Sequence, residues 1–226
     1  MHSLRDMNES HLQNRLVEAG EQTASANQEL IFVHIQKTGG SSILKALGRE
    51  MHSRHKHRFA SEFRDMYGQA RWDEAYKFAF VRNPWDRLVS WWSMVNQYRG
   101  AYVRGAKFNR FFTHILQNGR TFEDFILNCG ADIEDADGRK CIFRNQLDYI
   151  TDADGQIMVD YVGRFEHLDK DFDKLTARLK LPKSALEHRN RSDHKPYATY
   201  YNAETRAVVE AAYKRDIAHF GYVFET

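Results

Sequence analysis

Two stretches of this sequence carry residue types suited to holding oxyanions. The first is Gln36-Lys37-Thr38-Gly39-Gly40-Ser41-Ser42. Set between a strand and a helix, such a loop turns its backbone amides toward the positive end of the helix dipole. The glycines let the backbone approach a phosphate closely, Lys37 adds a mobile charge, and the Thr38, Ser41 and Ser42 hydroxyls are donors to nonbridging oxygens. Taken alone, the stretch also reads as a glycine turn with a solvated lysine. It lacks the GxxxxGK[ST] order, in which the lysine follows the glycines. The second stretch is Arg82-Asn83-Pro84-Trp85-Asp86-Arg87-Leu88-Val89-Ser90. There Arg82 offers a planar fork for a second phosphate and Ser90 a hydroxyl. An arginine ion pair and a surface serine are the alternative for this stretch.

The elements around these residues are legible in the apolar pattern. Leu30 to Ile35 reads as a buried parallel strand and Phe78 to Val81 as another. A helix is expected from about Ser42, with Ile43, Leu44 and Leu47 on one face and Ser41 or Ser42 as its cap. A second helix is expected from Ser61 to Tyr67. Asn83 as N-cap and Pro84 in the first turn open a further helix, whose buried stripe is Leu88, Trp91, Trp92 and Val95. Ser90 then falls on the opposite side with Asn83 and Asp86. Thr121 and Asp124 start another helix that ends near Gly130. From Leu147 to Phe165, two strand-like runs flank an Asp-Gly turn and read as a hairpin. A helix from Asp169 to Lys180 stops at Pro182, a polar loop follows from His188 to Lys195, and Asn202 caps one last long helix ending at Gly221. Strand alternating with helix predicts an α/β fold, one domain with a central, mostly parallel sheet flanked by helices. That domain is expected over residues 29–226, with 1–28 as a polar extension holding a short amphipathic piece at Leu12, Leu16 and Val17.

Composition limits the partners. The 226 residues are 42% hydrophobic, enough for a full core, and the formal charge of +2 gives little push toward nucleic acid or anionic membrane. An anion site must therefore be local. Cys129 and Cys141 match no zinc or redox spacing and read as reduced thiols of a cytoplasmic protein. No apolar run has the length of a membrane span. The Asp-rich turn at 151–155 is not a calcium loop, because Ile150 stands where an oxygen ligand would be needed.

Together, Phe32-Val33-His34-Ile35-Gln36-Lys37-Thr38-Gly39-Gly40-Ser41-Ser42 and Phe80-Val81-Arg82-Asn83-Pro84-Trp85-Asp86-Arg87-Leu88-Val89-Ser90 closely resemble the two motifs by which the carbohydrate sulfotransferase superfamily binds 3′-phosphoadenosine 5′-phosphosulfate (PAPS). The first is most similar to that of heparan sulfate 6-O-sulfotransferases and related bacterial enzymes. The resemblance continues through Val162-Gly163-Arg164-Phe165-Glu166 and from Tyr200-Tyr201 to Phe220-Gly221-Tyr222, covering all but the N-terminal extension. It implies a P-loop-like sulfotransferase fold that transfers a sulfuryl group from PAPS to a hydroxyl, expected to be that of a carbohydrate. It implies that Lys37 to Ser42 hold the 5′-phosphosulfate and that Arg82 and Ser90 hold the 3′-phosphate. In the family a late loop closes over the nucleotide. Arg191, Ser192, Lys195 and Tyr197 stand in the corresponding place as candidate ligands.

Sulfuryl transfer through a loose, in-line transition state asks the protein to align two oxygens and to neutralise charge on the leaving one. Lys37 is the candidate for the second task. The transferring group carries less charge than a phosphoryl group and no carboxylate trio adjoins the loop in sequence, so metal independence is expected. The acceptor needs a base titrating near neutrality, which points to histidine. His57 lies in the region where related glycan sulfotransferases carry theirs, followed by His55 and Glu62 as candidates. The competing view of His52, His55 and His57 is a solvated basic surface shared with Arg54, Lys56 and Arg58, and the same basic segment suggests an acidic acceptor. His34 is expected in the core. Two other classes remain: a small-molecule kinase, opposed by the order of lysine and glycines, and a regulatory protein that binds the product nucleotide PAP without catalysis.

Overall fold

The computed structural model describes residues 29–52, 55–135, 138–181, 186 and 195–225. The expected N-terminal extension, the Pro182 stop and the loop residues 188–194 lie outside them. In chain order the elements are β1 (Leu30–Val33), α1 (Gly40–Ala46), α2 (Ala60–Tyr67), α3 (Gln69–Glu74), β2 (Tyr76–Val81), α4 (Pro84–Asn96), α5 (Arg99–Val103) and α6 (Arg110–Asn118). There follow α7 (Phe122–Asn128), β3 (Ile133–Asp135), β4 (Gly138–Lys140), α8 (Leu147–Ile150), β5 (Tyr161–Arg164), α9 (Leu168–Arg178), α10 (Ala203–Ala212) and α11 (Lys214–Phe220). Contacts divide the chain into two compact units, one running to Val81 and resuming over Asp148–Arg189, the other made of Arg82–Leu147 and Asn190–Thr226.

The first unit holds a parallel sheet in the order β1-β2-β5. Leu30 pairs with Tyr76 and Val33 with Ala79, while Phe78 pairs with Tyr161 and Val81 with Arg164. Parallel strands covered on both faces need apolar residues at almost every position, and β1 is buried throughout. Leu30, Phe32, Phe78 and Phe80 project to one face and form a single core with Ile43 of α1 and Leu168, Phe172, Leu175 and Leu179 of α9. Phe32 and Phe78 stack with centroids 4.8 Å apart. Lys77 is the exception in β2. It points the other way, lies over the Trp72 ring of α3 and pairs with Asp160 at 3.2 Å. This is the expected α/β architecture, a parallel sheet flanked by helices.

Two expectations for this unit are corrected. Leu147–Ile150 is helix α8, not the first strand of a hairpin, because a short apolar run fits either period and burial of Leu147, Tyr149 and Ile150 is met by one helical turn. Only the bridge between Thr151 and Ile157 survives of the hairpin, around a turn with Gly155 at φ 80°. Asp152 Oδ1 there accepts the amides of Asp154 and Gln156. The other correction concerns α1. Its cap is Gly39, so the helix begins two residues early and places Ser41 and Ser42 inside it, where their hydroxyls do not cap.

The second unit is built around α4. Asn83 caps it by accepting the Trp85 amide, as its sequence indicates. Thr121 and Asp124 form the expected capping box of α7. The last helix is two: Tyr213 interrupts it between α10 and α11. Its buried hydroxyl donates to the Ile142 carbonyl at 2.6 Å. The interruption also brings Asp216 fully inside, where it accepts the amides of Gln146 and Leu147 at 2.7 and 3.0 Å.

Candidate active site

In the first unit, the chain leaves β1 through His34 and Ile35 and turns at Lys37 and Gly39, with φ of 69° and 85°. The left-handed region costs a lysine strain that a glycine does not feel. Phe165 and Leu168 lie beneath Gly39, where an added Cβ would stand 3.2 and 3.0 Å from them. Gly40 is pressed against His34: a Cβ would fall 2.0 Å from Nε2. These two glycines let the loop lie flat against α9 and His34 while α1 begins. Thr38 is buried, and its hydroxyl donates to the Ile35 carbonyl at 2.8 Å, closing the turn from within. The hydroxyl expected to serve a phosphate is directed at that carbonyl in this structure. Ser41 is exposed and Ser42 buried. The Gln36 carboxamide oxygen accepts from the Tyr149 hydroxyl at 2.7 Å, so the loop's entry is tied to α8.

His34 is a core residue, as expected, but it also adjoins the chemistry. It is 7% exposed, stacks on Phe32 at 5.3 Å and meets the His57 ring at 4.9 Å. Burial, then the charges of Lys56 and Lys37, pull its pKa down to about 4, so the ring is neutral at ordinary pH. Its Nδ1 is buried with no hydrogen-bond partner among the described residues. His57 has φ 63°, in the left-handed region that residues other than glycine adopt uncommonly. His55 turns elsewhere, into the rings of Phe63 and Tyr67 at 6.0 and 5.9 Å. Glu62 is engaged by Arg58 at 2.6 Å and by the Phe59 amide at 2.8 Å, which caps α2. Of the three candidate bases, His57 is the one set beside the loop's own histidine.

In the second unit, Arg82 is 5% exposed and its Nε donates to Asp86 Oδ2 at 2.7 Å. Its backbone is clamped on both sides by Gln146, whose Oε1 accepts the Arg82 amide and whose Nε2 donates to the Arg82 carbonyl, each at 2.8 Å. Gln146 is in turn held by Asp216. Burial raises the Asp216 pKa against the lowering effect of those hydrogen bonds. Neither Gln146 nor Asp216 was indicated by the sequence, since both are far from Arg82 in the chain and belong to no motif. Asp86 lies in the first turn of α4 while Arg82 precedes that helix, so the pair follows from the strand-to-helix turn and not from a shared helix face.

Ser90 differs from expectation. It is 4% exposed, because α4 is enclosed nearly all round: Trp85, Arg87, Leu88, Val89 and Trp91 are buried beside it, whereas Trp92, assigned to the stripe, is only half-buried. Tyr197 turns toward the cap of α4, where its hydroxyl accepts the Glu225 amide at 2.7 Å and lies 3.5 Å from Asn83 Nδ2. Burial raises its pKa. Lys195 is exposed, and Arg191 and Ser192 lie outside the described residues. Cys129 and Cys141 are free thiols whose pKa values burial pushes up, Cys129 to about 12, which suits neither as a nucleophile. Among the described residues no group of three or more His, Cys, Asp or Glu side chains is placed to hold a metal ion, and no helix is long and apolar enough to cross a membrane.

A three-stranded parallel sheet flanked by helices, whose first strand runs into a lysine-glycine turn and a helix, is an α/β arrangement consistent with a sulfotransferase fold. The family model of the sulfotransferases matches residues 22–223, and the chain belongs to the sulfotransferase family. No curated protein matches it.

Proposed function

We propose that this sulfotransferase takes its sulfuryl group from PAPS and places it on a hydroxyl of a carbohydrate, with Lys37 and His57 as the catalytic residues. One observation carries the reading. Among the described residues, non-glycine left-handed backbone occurs at Lys37, His57 and Lys180. Lys180 follows the end of α9, where that conformation is the usual helix stop. Lys37 follows a strand and His57 closes the short turn after His55, and they bear on the same buried ring, that of His34, Lys37 through its charge and His57 through a ring contact at 4.9 Å. Strain of about 1–3 kcal/mol at each is retained where geometry matters to chemistry.

The acceptor oxygen forms its bond to sulfur as the bond from sulfur to the 5′-phosphate oxygen breaks. The acceptor's proton passes to the His57 imidazole and PAP departs. Lys37 neutralises the charge growing on the leaving oxygen, and the amides at the start of α1 support the phosphate. Arg82, oriented by Gln146 and Asp86, is assigned to the 3′-phosphate, and an exposed Ser41 hydroxyl to the 5′ end. The proposal is tested by calorimetric titration of PAP into the wild type, Lys37→Ala and Arg82→Lys. Saturable binding weakened in both variants is the expected result, and a wild type that gives no binding heat contradicts it.

A further inference from the structure

Past Gly221 the second unit's chain leaves α11 as a run that alternates sides: Tyr222 is buried, Val223 is open to solvent at 63%, and Phe224 turns inward again. The Phe224 ring meets Trp85, Tyr197 and Tyr201 edge-on, with centroids 5.5, 5.4 and 5.5 Å away, and the Arg206 guanidinium lies over it at 4.5 Å. One ring thereby joins the first turn of α4, the 3₁₀ turn Tyr197–Tyr200 and α10. Tyr201 completes the box by donating its hydroxyl to the Trp85 carbonyl at 2.8 Å.

The backbone on either side of Phe224 is hydrogen-bonded to the same corner. Val223 offers its carbonyl to Asn83 Nδ2 at 3.1 Å, and the Glu225 amide donates to the Tyr197 hydroxyl at 2.7 Å. Asn83 Nδ2 also reaches that hydroxyl at 3.5 Å, while its Oδ1 accepts the Trp85 amide and so fixes which way the carboxamide faces. Two donors therefore point into the Tyr197 oxygen. A phenol oxygen has one proton of its own to give, and both contacts use its lone pairs instead. That proton meets no acceptor among the described residues, and burial raises the pKa, so the group keeps it. The Asp86 charge also acts on this hydroxyl, which sets it near the carboxylate that orients Arg82.

We infer that Phe224 is a positioning residue for the donor nucleotide: seated in its aromatic box, it holds residues 222–225 so that the Tyr197 hydroxyl turns its proton toward a phosphate beside Arg82. A phosphate monoester offers acceptors only, which is what a hydroxyl proton and a guanidinium both require. Phe224 itself touches no phosphate. It acts through the Tyr197 ring on which it packs and through the Glu225 amide that follows it. The inference deepens the donor half of the proposed function and rests on the assignment of Arg82 to the 3′-phosphate.

The test is calorimetric titration of PAP into the wild type, Tyr197→Phe, Phe224→Leu, the double variant and Val223→Ala, each melted beforehand to establish that it is folded at the titration temperature. Tyr197→Phe keeps the ring in the box and removes only the hydroxyl, so it should bind about tenfold or more weakly, as expected on losing a hydrogen bond to a charged group. Phe224→Leu should show part of that loss, roughly threefold or more. The double variant should bind no more weakly than Tyr197→Phe, because Phe224 acts through that hydroxyl. Val223→Ala changes an exposed side chain and should bind as the wild type does. A purely structural role would lower the melting temperature of Phe224→Leu and leave its folded form with wild-type affinity, and that result overturns the inference. Losses that add in the double variant overturn it as well. PAP binding weakened by Arg82→Lys but indifferent to Tyr197→Phe and Phe224→Leu overturns it with the donor reading intact, whereas a wild type that binds no PAP overturns both.

Discussion

His34 and His57 lie with ring centroids 4.9 Å apart, one buried in the core and the other on a left-handed backbone at φ 63°. The pair couples folding to pH. The neutral form of His34 is favoured in the folded state, with a pKa of about 4 against 6.5 for the free side chain. The unfolded chain therefore binds the extra proton first as pH falls. Stability is full above pH 6.5, declines below it and has lost this contribution by about pH 4, a change on the order of 3 kcal/mol. Denaturant melts across that range should show the slope in the wild type and a reduced slope in His34→Phe. An unchanged slope in the variant would assign the acid sensitivity to other groups.

The contact between Gly40 and His34 makes a second prediction. Gly40→Ala places a methyl 2.0 Å from Nε2 of a ring confined by Phe32 and His57, so the ring must move. Overpacking of this kind costs about 1–3 kcal/mol. Because the clash is with one side chain, His34→Ala should recover part of the loss in the double variant. Urea unfolding of all four proteins reads the coupling directly.

Lys37 separates strain from catalysis. Lys37→Ala should lower single-turnover transfer by roughly 10²–10³-fold while acceptor KM stays near that of the wild type. Lys37→Gly should be equally inactive yet about 1 kcal/mol more stable than Lys37→Ala, because φ of 69° suits glycine. Near-wild-type single-turnover rates in either variant would remove Lys37 from the mechanism.

His57 is tested through pH. As the base it must be neutral, so the rate should rise with pH through the imidazole range and that rise should vanish in His57→Ala, with a loss of roughly 10²–10⁴-fold. His55→Ala should keep the profile, since its ring faces Phe63 and Tyr67. A pH–rate profile of His57→Ala that kept both its rise and its magnitude would return the assignment to another group.

Arg82 meets Asp86 through Nε and, on this account, a phosphate through the rest of its fork. Lysine keeps the charge and cannot do both, so Arg82→Lys should weaken PAP about tenfold or more. Removing Asp86 instead takes its 2.7 Å carboxylate partner from a buried guanidinium. Asp86→Ala should therefore lose stability, by up to about 3–5 kcal/mol in melts without nucleotide.

The parts of this molecule legible in its sequence are those fixed by short-range chemistry. Asn83 before Pro84, Thr121 before Asp124 and the apolar runs of β1 and β2 each declare their conformation within a few residues. The loop at Lys37 was legible for the same reason, because its glycines and lysine are adjacent. What escaped depends on distant partners. Ser90 looked outward while only the period of α4 was known, and its burial comes from other elements closing around that helix. Tyr213 breaks a helix to reach the Ile142 carbonyl, and Gln146 orients Arg82 from another part of the chain. Such contacts leave no local pattern. His34 was legible as core but not as the neighbour of His57, since residues between them do not determine how the chain returns.

The most direct measurement supplies purified protein with PAPS and a panel of acidic polysaccharides, neutral oligosaccharides and small alcohols, and identifies products by mass spectrometry. The account predicts a saccharide carrying one added sulfate ester, formed with stoichiometric release of PAP and lost in Lys37→Ala. Binding of PAP with no sulfated product from any acceptor, or sulfation that persists unchanged in Lys37→Ala, would contradict it.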